Sequence, residues 1–391
     1  IDDMMLSFSG SIINEDIDLA RGDVRYYLYK GIWTSDDGYN WYDGSQDKYT
    51  YSKRGENEDL GFIKRKELSL SLKTSLWGHF VTLDANFFIN SMEGYLIDSP
   101  TFFPSHLNTA YPKGSFMPVL NYNNNRRIGF DFALNFNRKF GETDLSLGLT
   151  GTYYDTKATK VDENNVETYQ NRQGKPIDGI WGYRCVGFFQ SEAEIATSPD
   201  QSKLGSTVRP GDLKYVDVNH DGKIDNYDQV YLGKGGLYGA PFTLGVNFTA
   251  KWRGFTFFAL GVGNFGAHGV KNSSYYWVRE AGKYSAVVRN RWTPATAATA
   301  TYPRLSTLSG SNNFVTSDFW LYKTDAFRLA KVQITYDFPR RLFGSTWVKG
   351  LSAFVSGANL LTISGEREVL ELNVGSAPQA RYYNIGVKAT F

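Results

Sequence analysis

The sequence predicts an all-β protein, a transmembrane antiparallel β-barrel with long extracellular loops, and three observations carry that reading. Apolar and polar residues alternate with a period of two in stretch after stretch, the pattern of strands whose two faces meet different media. The links between these stretches are alternately short and long. The composition is only 41% hydrophobic, with a mean hydropathy of −0.38, yet aromatics reach 16%. That is too polar for a bundle of membrane helices and too aromatic for an ordinary soluble domain. A membrane helix needs about 20 consecutive apolar residues, which no segment supplies, whereas a membrane strand needs about 9–11 with every second one apolar.

In chain order, Met4 to Ile13 and Asp23 to Trp33 are the first strand candidates, and a Tyr- and Asp-rich stretch to about Leu60 reads as a long loop. From Glu67 to Ser75, Leu68, Leu70 and Leu72 alternate with Ser69, Ser71 and Lys73. A turn at Leu76-Trp77-Gly78 leads into Phe80 to Asn90, with Val81, Leu83, Ala85, Phe87 and Ile89 on one face and Thr82, Asp84 and Asn86 on the other. After a Pro-containing loop, Ser91 to Asn125, the design repeats. Ile128, Phe130, Phe132, Leu134 and Phe136 share a face, Arg138 to Thr143 turns, and Leu145, Leu147, Leu149, Gly151 and Tyr153 return. A long connection, Thr156 to Pro241, precedes Phe242, Leu244, Val246, Phe248 and Ala250, the turn Arg253-Gly254 and Phe255 to Val262. Gly263 to about Ala326 is another long connection. It is followed by Phe327 to Phe338, a short link with Pro339, Leu351 to Asn359, a loop and Arg381 to Phe391, about eleven strands in all.

Short links fall near Trp77, Gly141, Gly254 and Arg341, and long ones near Gly44, Pro112, Lys203, Thr296 and Gly375. Outer-membrane barrels have short turns at one rim and long loops at the other, whereas a β-sandwich gives no reason for every second link to be long. A soluble, secreted β-rich carbohydrate-binding module stabilised by calcium is the alternative, and in it the apolar rows would pack against a second sheet. A net charge of +2 with scattered Lys and Arg points away from nucleic acid. Cys185 is the single cysteine, so no internal disulfide is expected. No signal peptide opens the sequence, an expectation that makes this the later part of a longer or processed protein.

Within the connection 157–241, the twelve residues DVNHDGKIDNYD have the spacing of a calcium loop. Asp217, Asn219, Asp221, the backbone carbonyl of Lys223, Asp225 and Asp228 occupy positions 1, 3, 5, 7, 9 and 12. Gly222 permits the sharp turn, and Ile224 can anchor the loop on an apolar patch. Position 12 is Asp rather than the Glu of a helix-loop-helix site, and no helical period flanks the loop. A structural Ca²⁺ is expected; an Asx-rich turn without metal is the plain alternative. No enzyme is expected. The histidines His79, His106, His220 and His268 are dispersed, with no HExxH, no GxSxG and no P-loop in the chain. Tyr275, Tyr276 and Trp277, in a long loop, are candidate stacking faces for substrate.

The final strand alternates up to Phe391, which looks like the terminal aromatic by which outer-membrane barrels are recognised for assembly. Several segments then resemble, in order, the C-terminal part of a SusC/RagA-type TonB-dependent outer-membrane transporter of Bacteroidota. They are WGYRCVGFFQS from Trp181, PGDLKYVDVNHDGKIDNYDQVYLG from Pro210, NRWTP from Asn290 with TYPRL from Thr301, SDFWLYKTDAFRLAKVQITYDFP from Ser317, and FVSGANLLT from Phe354. The resemblance implies the C-terminal half of a barrel of about 22 strands, with residues 1–391 as wall and loops and the plug domain outside this chain. It further implies bacterial outer-membrane lipid around the wall, a SusD-like lipoprotein as lid and TonB contact through the missing N-terminal region. The cargo would be oligosaccharides or peptides.

Overall fold

A computed structural model of the chain describes residues 1–15, 34–51, 55, 57–97, 100–107, 117–237, 239–280, 285–307, 312–344, 347–374 and 376–391. Ten strands form one antiparallel sheet in chain order: β1 (Asp3–Glu15), β2 (Ile63–Leu76), β3 (Val81–Ile97), β4 (Leu120–Phe140), β5 (Thr143–Lys160), β6 (Phe242–Trp252), β7 (Phe255–Phe265), β8 (Ala326–Asp337), β9 (Gly350–Ile363) and β10 (Tyr382–Thr390). The first predicted strand is present as β1, whereas the candidate Asp23 to Trp33 lies outside the described residues. The polar stretch before Leu60 is not loop throughout: Thr34–Asn40 pairs with Gln46–Tyr51. Several wall strands outrun their predicted ends, β3 to Ile97 and β5 to Lys160, because backbone pairing continues after the apolar alternation has stopped.

The register carries the alternation across the sheet. Leu70 pairs with Phe8 and Phe87, Phe87 with Phe130, Phe130 with Tyr153 and Tyr153 with Phe242, so one apolar row crosses six strands. These side chains are not covered. Phe8 is 75% exposed, Leu70 46%, Phe130 43% and Ile385 88%, which excludes packing against a second sheet and leaves a row that only hydrocarbon would solvate. In β8 the sequence alternation slips by one between Leu329 and Val332. A bulge at this point absorbs the extra residue, so Phe327, Leu329, Val332, Ile334 and Tyr336 stay on one face.

The apolar band ends in aromatics on both sides. Phe130 with Tyr153 and Phe242 with Phe265 mark one edge, and Phe255 with Tyr336 and Trp347 with Phe391 mark the other. Strand β6 runs from one belt to the other in 11 residues. Ten steps of about 3.3 Å, tilted by about 40°, give a height of about 25 Å, the hydrocarbon band of an outer-membrane barrel. The opposite face is polar and bonded to itself. Ser9 meets Ser69 at 2.7 Å, Ser71 donates to Asn86 at 2.8 Å, and Asn86 donates to Asp131 at 3.2 Å.

Tight turns close one rim, with Arg253 and Gly254 both at positive φ in the two-residue link between β6 and β7. Long connections gather at the other rim, and there the buried core of the molecule lies. Tyr183, Leu213, Tyr215, Ile224, Tyr276, Val278, Val288, Tyr302, Phe314 and Trp320 form one cluster drawn from residues 161–241 and 266–325. Small strand pairs knit this dome, Gly179–Gly182 with Val230–Lys234 and Cys185–Phe188 with Leu213–Tyr215. A large part of the hydrophobic burial thus sits in loops, while the strands keep their apolar side bare. Strands β1 and β10 are the two edges of the sheet.

Candidate functional site

The loop 217–228 sits on the dome, curled as its glycine predicts. Gly222 has φ +81°, His220 shares the left-handed region at +61°, and Ile224 is fully buried in the core cluster. Backbone pairing to Asp200 clamps the far side of the loop: Ile224 donates to Asp200 O at 2.8 Å, and Asp200 donates to Gly222 O at 3.0 Å. The acidic side chains are turned to the loop's own amides. Asp217 accepts from Gly222 N–H at 2.8 Å and Asp221 N–H at 3.2 Å, Asn219 accepts from Asp221 N–H at 3.2 Å, and Asp221 accepts from Lys223 N–H at 2.9 Å.

The ninth and twelfth positions are more fully committed. Asp228 is 0% exposed and accepts from Val218 N–H at 2.7 Å and Asp225 N–H at 2.8 Å. Burial pushes its carboxyl up, with a contribution from the Asp217 charge. Asp225 accepts from Tyr227 N–H at 3.0 Å and pairs with Lys203 Nζ at 2.9 Å; these bonds hold its carboxyl below the ordinary range and the Lys203 ammonium above its own. Among the described residues no three His, Cys, Asp or Glu side chains converge tightly enough to hold a metal ion. The backbone curl therefore suits a cation loop, while the side chains of Asp225 and Asp228 do not aim at a common centre in this arrangement.

The aromatic triplet belongs to the packing of the dome. Tyr276 is buried, its carbonyl accepts from Tyr302 O–H at 2.7 Å, and Tyr275 meets it edge-on at 5.0 Å. Trp277 is half-buried, stacked on Phe314 at 6.1 Å, with the Arg279 guanidinium 5.1 Å from its ring centroid. Tyr276 could offer no ring face to a ligand without unpacking. Phe391 closes β10 with its ring stacked 4.4 Å from that of Trp347, and its carbonyl accepts from Lys349 Nζ at 3.0 Å.

One constellation escaped the sequence reading. Asp212 is 0% exposed, ion-paired to Arg304 at 2.7 Å, and accepts from Asn313 Nδ2 at 2.8 Å and Arg209 N–H at 2.8 Å. Asn313 Oδ1 in turn accepts from Leu213 N–H at 2.7 Å, and its carbonyl accepts from Trp320 Nε1 at 2.7 Å. This network rivets the connection 161–241 to 266–325, with the metal-type loop directly downstream. The only sequence signal is that Asp212 and Arg304 lie in the PGD and PRL segments; nothing local pairs them. Cys185 sits beside this core, and burial pushes its thiol up to about 11. Because the thiolate is the reactive form, alkylation of the folded protein by iodoacetamide at pH 8 is expected to be far slower than in denaturant. Equal rates would show that the dome opens freely.

No family model matches the chain. It is 27% identical over 239 residues to the TonB-dependent receptor P26 of Formosa agariphila, covering 56% of this chain and 23% of that protein. The TonB-dependent receptor P3 of the same organism is 22% identical over 344 residues, covering 84% of this chain and 32% of the relative. The chain thus spans about a quarter to a third of the length of these curated relatives. Among solved structures, the RagAB peptide importer in its open-open state aligns with all of this chain and 40% of its own, with a TM-score of 0.72 at 16% identity. The closed-closed state of RagAB gives 0.67 at 18% identity, again over 100% of this chain. The sheet thus has the fold of that barrel wall. With two relatives named as TonB-dependent receptors and a wall that shares the fold of the RagAB barrel along its whole length, the chain resembles part of a SusC/RagA-type TonB-dependent transporter.

Proposed function

We propose that this chain supplies wall, lumen surface and outward loops to an active importer of oligosaccharides or peptides. In this reading its dome faces the cell exterior and meets a SusD-like surface lipoprotein, and TonB supplies the energy through a segment outside this chain. One observation carries the reading: an uncovered apolar face between two aromatic belts backs a polar, internally bonded face that leads up to a packed dome. A soluble carbohydrate-binding module has no use for bare rows such as Phe8, Leu70, Phe130 and Ile385. The two sheet edges, β1 and β10, would be closed by further strands of the same barrel, since an unpaired edge is not tolerated in hydrocarbon. Phe391 at the end of β10 would be the assembly signal. Native purification in detergent followed by mass spectrometry tests the reading. A co-purifying lipoprotein and trapped peptide or glycan are expected; a monomer stable in plain buffer would refute the importer.

The loop 217–228 we assign to a structural Ca²⁺. The curl at Gly222 and the carboxylates of Asp217 and Asp221 with Asn219 support it; Asp225 would have to leave Lys203 to join them. When bound, the ion would brace the dome and supply no chemistry to a substrate. Lys203→Met is then expected to raise calcium affinity several-fold, by removing a competing cation from Asp225. Calorimetric titration of full-length protein with calcium alone checks this, and an absence of binding in both forms leaves the plain Asx-turn. Tyr275 and Trp277, half-buried at the dome, are kept as secondary candidates for substrate contact.

A further inference from the structure

On the polar face beneath the dome, a cavity of about 240 Å³ is lined by Arg65, Arg126, Arg127, Asn90, Asn125 and Thr156 among others. A second hollow of about 470 Å³ shares Asn90 and Arg127 and is lined also by Glu67, which is engaged by Arg65. Among the described residues that line the first cavity there are three arginines and no acidic residue, and by the alternation of β4 it is Arg127, opposite Thr156, whose side chain lies on the polar face. Arg65 is neutralised by Glu67 and Glu15. Arg127 is half-buried, its guanidinium resting 4.7 Å from the centroid of the Tyr154 ring, and among the described residues neither it nor Arg126 has a carboxylate within ion-pair distance. A ring face holds a guanidinium in place without using its N–H donors, so the planar fork stays available to an oxyanion.

One further polar group marks the spot as built and incomplete. Thr156 is 1% exposed and lines the cavity, and its hydroxyl has no hydrogen-bond partner among the described residues. Asp178, in the connection above, feels the charges of Lys234 and Arg127 but makes no ion pair with Arg127 among the described residues. Asp155 is taken by Lys157 and Lys234, at 3.5 and 3.7 Å. A half-buried cation with no carboxylate in ion-pair contact and a buried hydroxyl without a partner among the described residues are both costly arrangements. One ligand chemistry satisfies both.

We infer that Arg127, with the Thr156 hydroxyl, forms an anion subsite on the lumen wall that receives a carboxylate of the imported molecule. The inference rests on the importer reading and deepens it: cargo with a carboxylate is preferred over its neutral counterpart. The carboxylate can come from a peptide C-terminus or from a uronic acid. The test uses the full-length transporter in detergent and isothermal titration with four probes: a short peptide without acidic side chains, its C-terminal amide, an oligosaccharide bearing one uronic acid, and its neutral analogue. For at least one pair, the acid is expected to bind about tenfold tighter than its neutral partner, the scale of one charge-assisted contact. Arg127→Gln should erase that ratio by weakening the acid far more than the neutral probe, and Arg127→Lys should keep part of it. The pair that responds identifies the source. Equal affinity within both pairs, or a loss in Arg127→Gln that is the same for acid and neutral probes, overturns the subsite and leaves the importer standing. Failure of all four probes to bind overturns both.

Discussion

Asp212→Ala is expected to destabilise the dome by about 3–5 kcal/mol, the scale for removing one partner of a buried ion pair. Arg304 would be left largely buried, 17% exposed, without its counter-ion, and Asn313 and the Arg209 amide would each lose an acceptor. Because Asn313 also holds Leu213 and Trp320, the loss should spread into the core cluster instead of staying local. The measurement is hydrogen exchange on the full-length protein. Protection of the Leu213 and Trp320 amides should collapse, while the wall amides of β4 and β5 keep theirs. A second variant separates charge from packing: Asp212→Ala combined with Arg304→Met should recover a good part of the loss, since it removes the orphaned cation. Were the single and double variants equally unstable, the ion pair would not be what joins the two connections.

The second large effect concerns the wall. Leu134 lies in the middle of the apolar band, paired across the sheet with Leu83 on one side and Leu149 on the other. Leu134→Arg should cost roughly 2–4 kcal/mol, the depth-dependent penalty for a cation on the lipid face near the midplane. Its neighbour Asn135 projects from the opposite face, where its amide donates to Thr82 at 3.4 Å. Asn135→Arg should therefore be nearly neutral, since the charge enters a polar, wetted surface. Denaturant unfolding of the folded barrel in lipid, monitored by its heat-modifiable gel mobility, distinguishes the two. Similar penalties at 134 and 135 would mean that the two faces do not meet different media, and the membrane reading would fall with that result.

The contrast between these two experiments follows the division between what was legible in the sequence and what was not. The wall could be read because alternation is a local property. Each of Leu68, Leu70 and Leu72 reports its face through its immediate neighbours, and short links such as Arg253-Gly254 fix which strands are adjacent. Even the bulge in β8 left its trace, as a one-residue slip between Leu329 and Val332. Loop 217–228 was equally local, so its curl at Gly222 and the anchor at Ile224 could be anticipated. The engagement of Asp225 by Lys203 could not, because the partner is 22 residues away and chosen by the fold.

From residue order alone came the two-faced strands, the alternation of short and long links, the metal-type loop and the resemblance to a transporter barrel, since each depends on spacing within one segment or on motifs in succession. Tertiary structure alone decided which side chains meet. It set Asp212 against Arg304, placed Arg127 on Tyr154 beside a hydroxyl without a partner among the described residues, and buried Tyr276 in the core with Tyr275 and Trp277 packed half-buried against it. The physical reason is that burial and charge pairing are energies between segments far apart in the chain, and no period in the sequence encodes which distant segment will arrive.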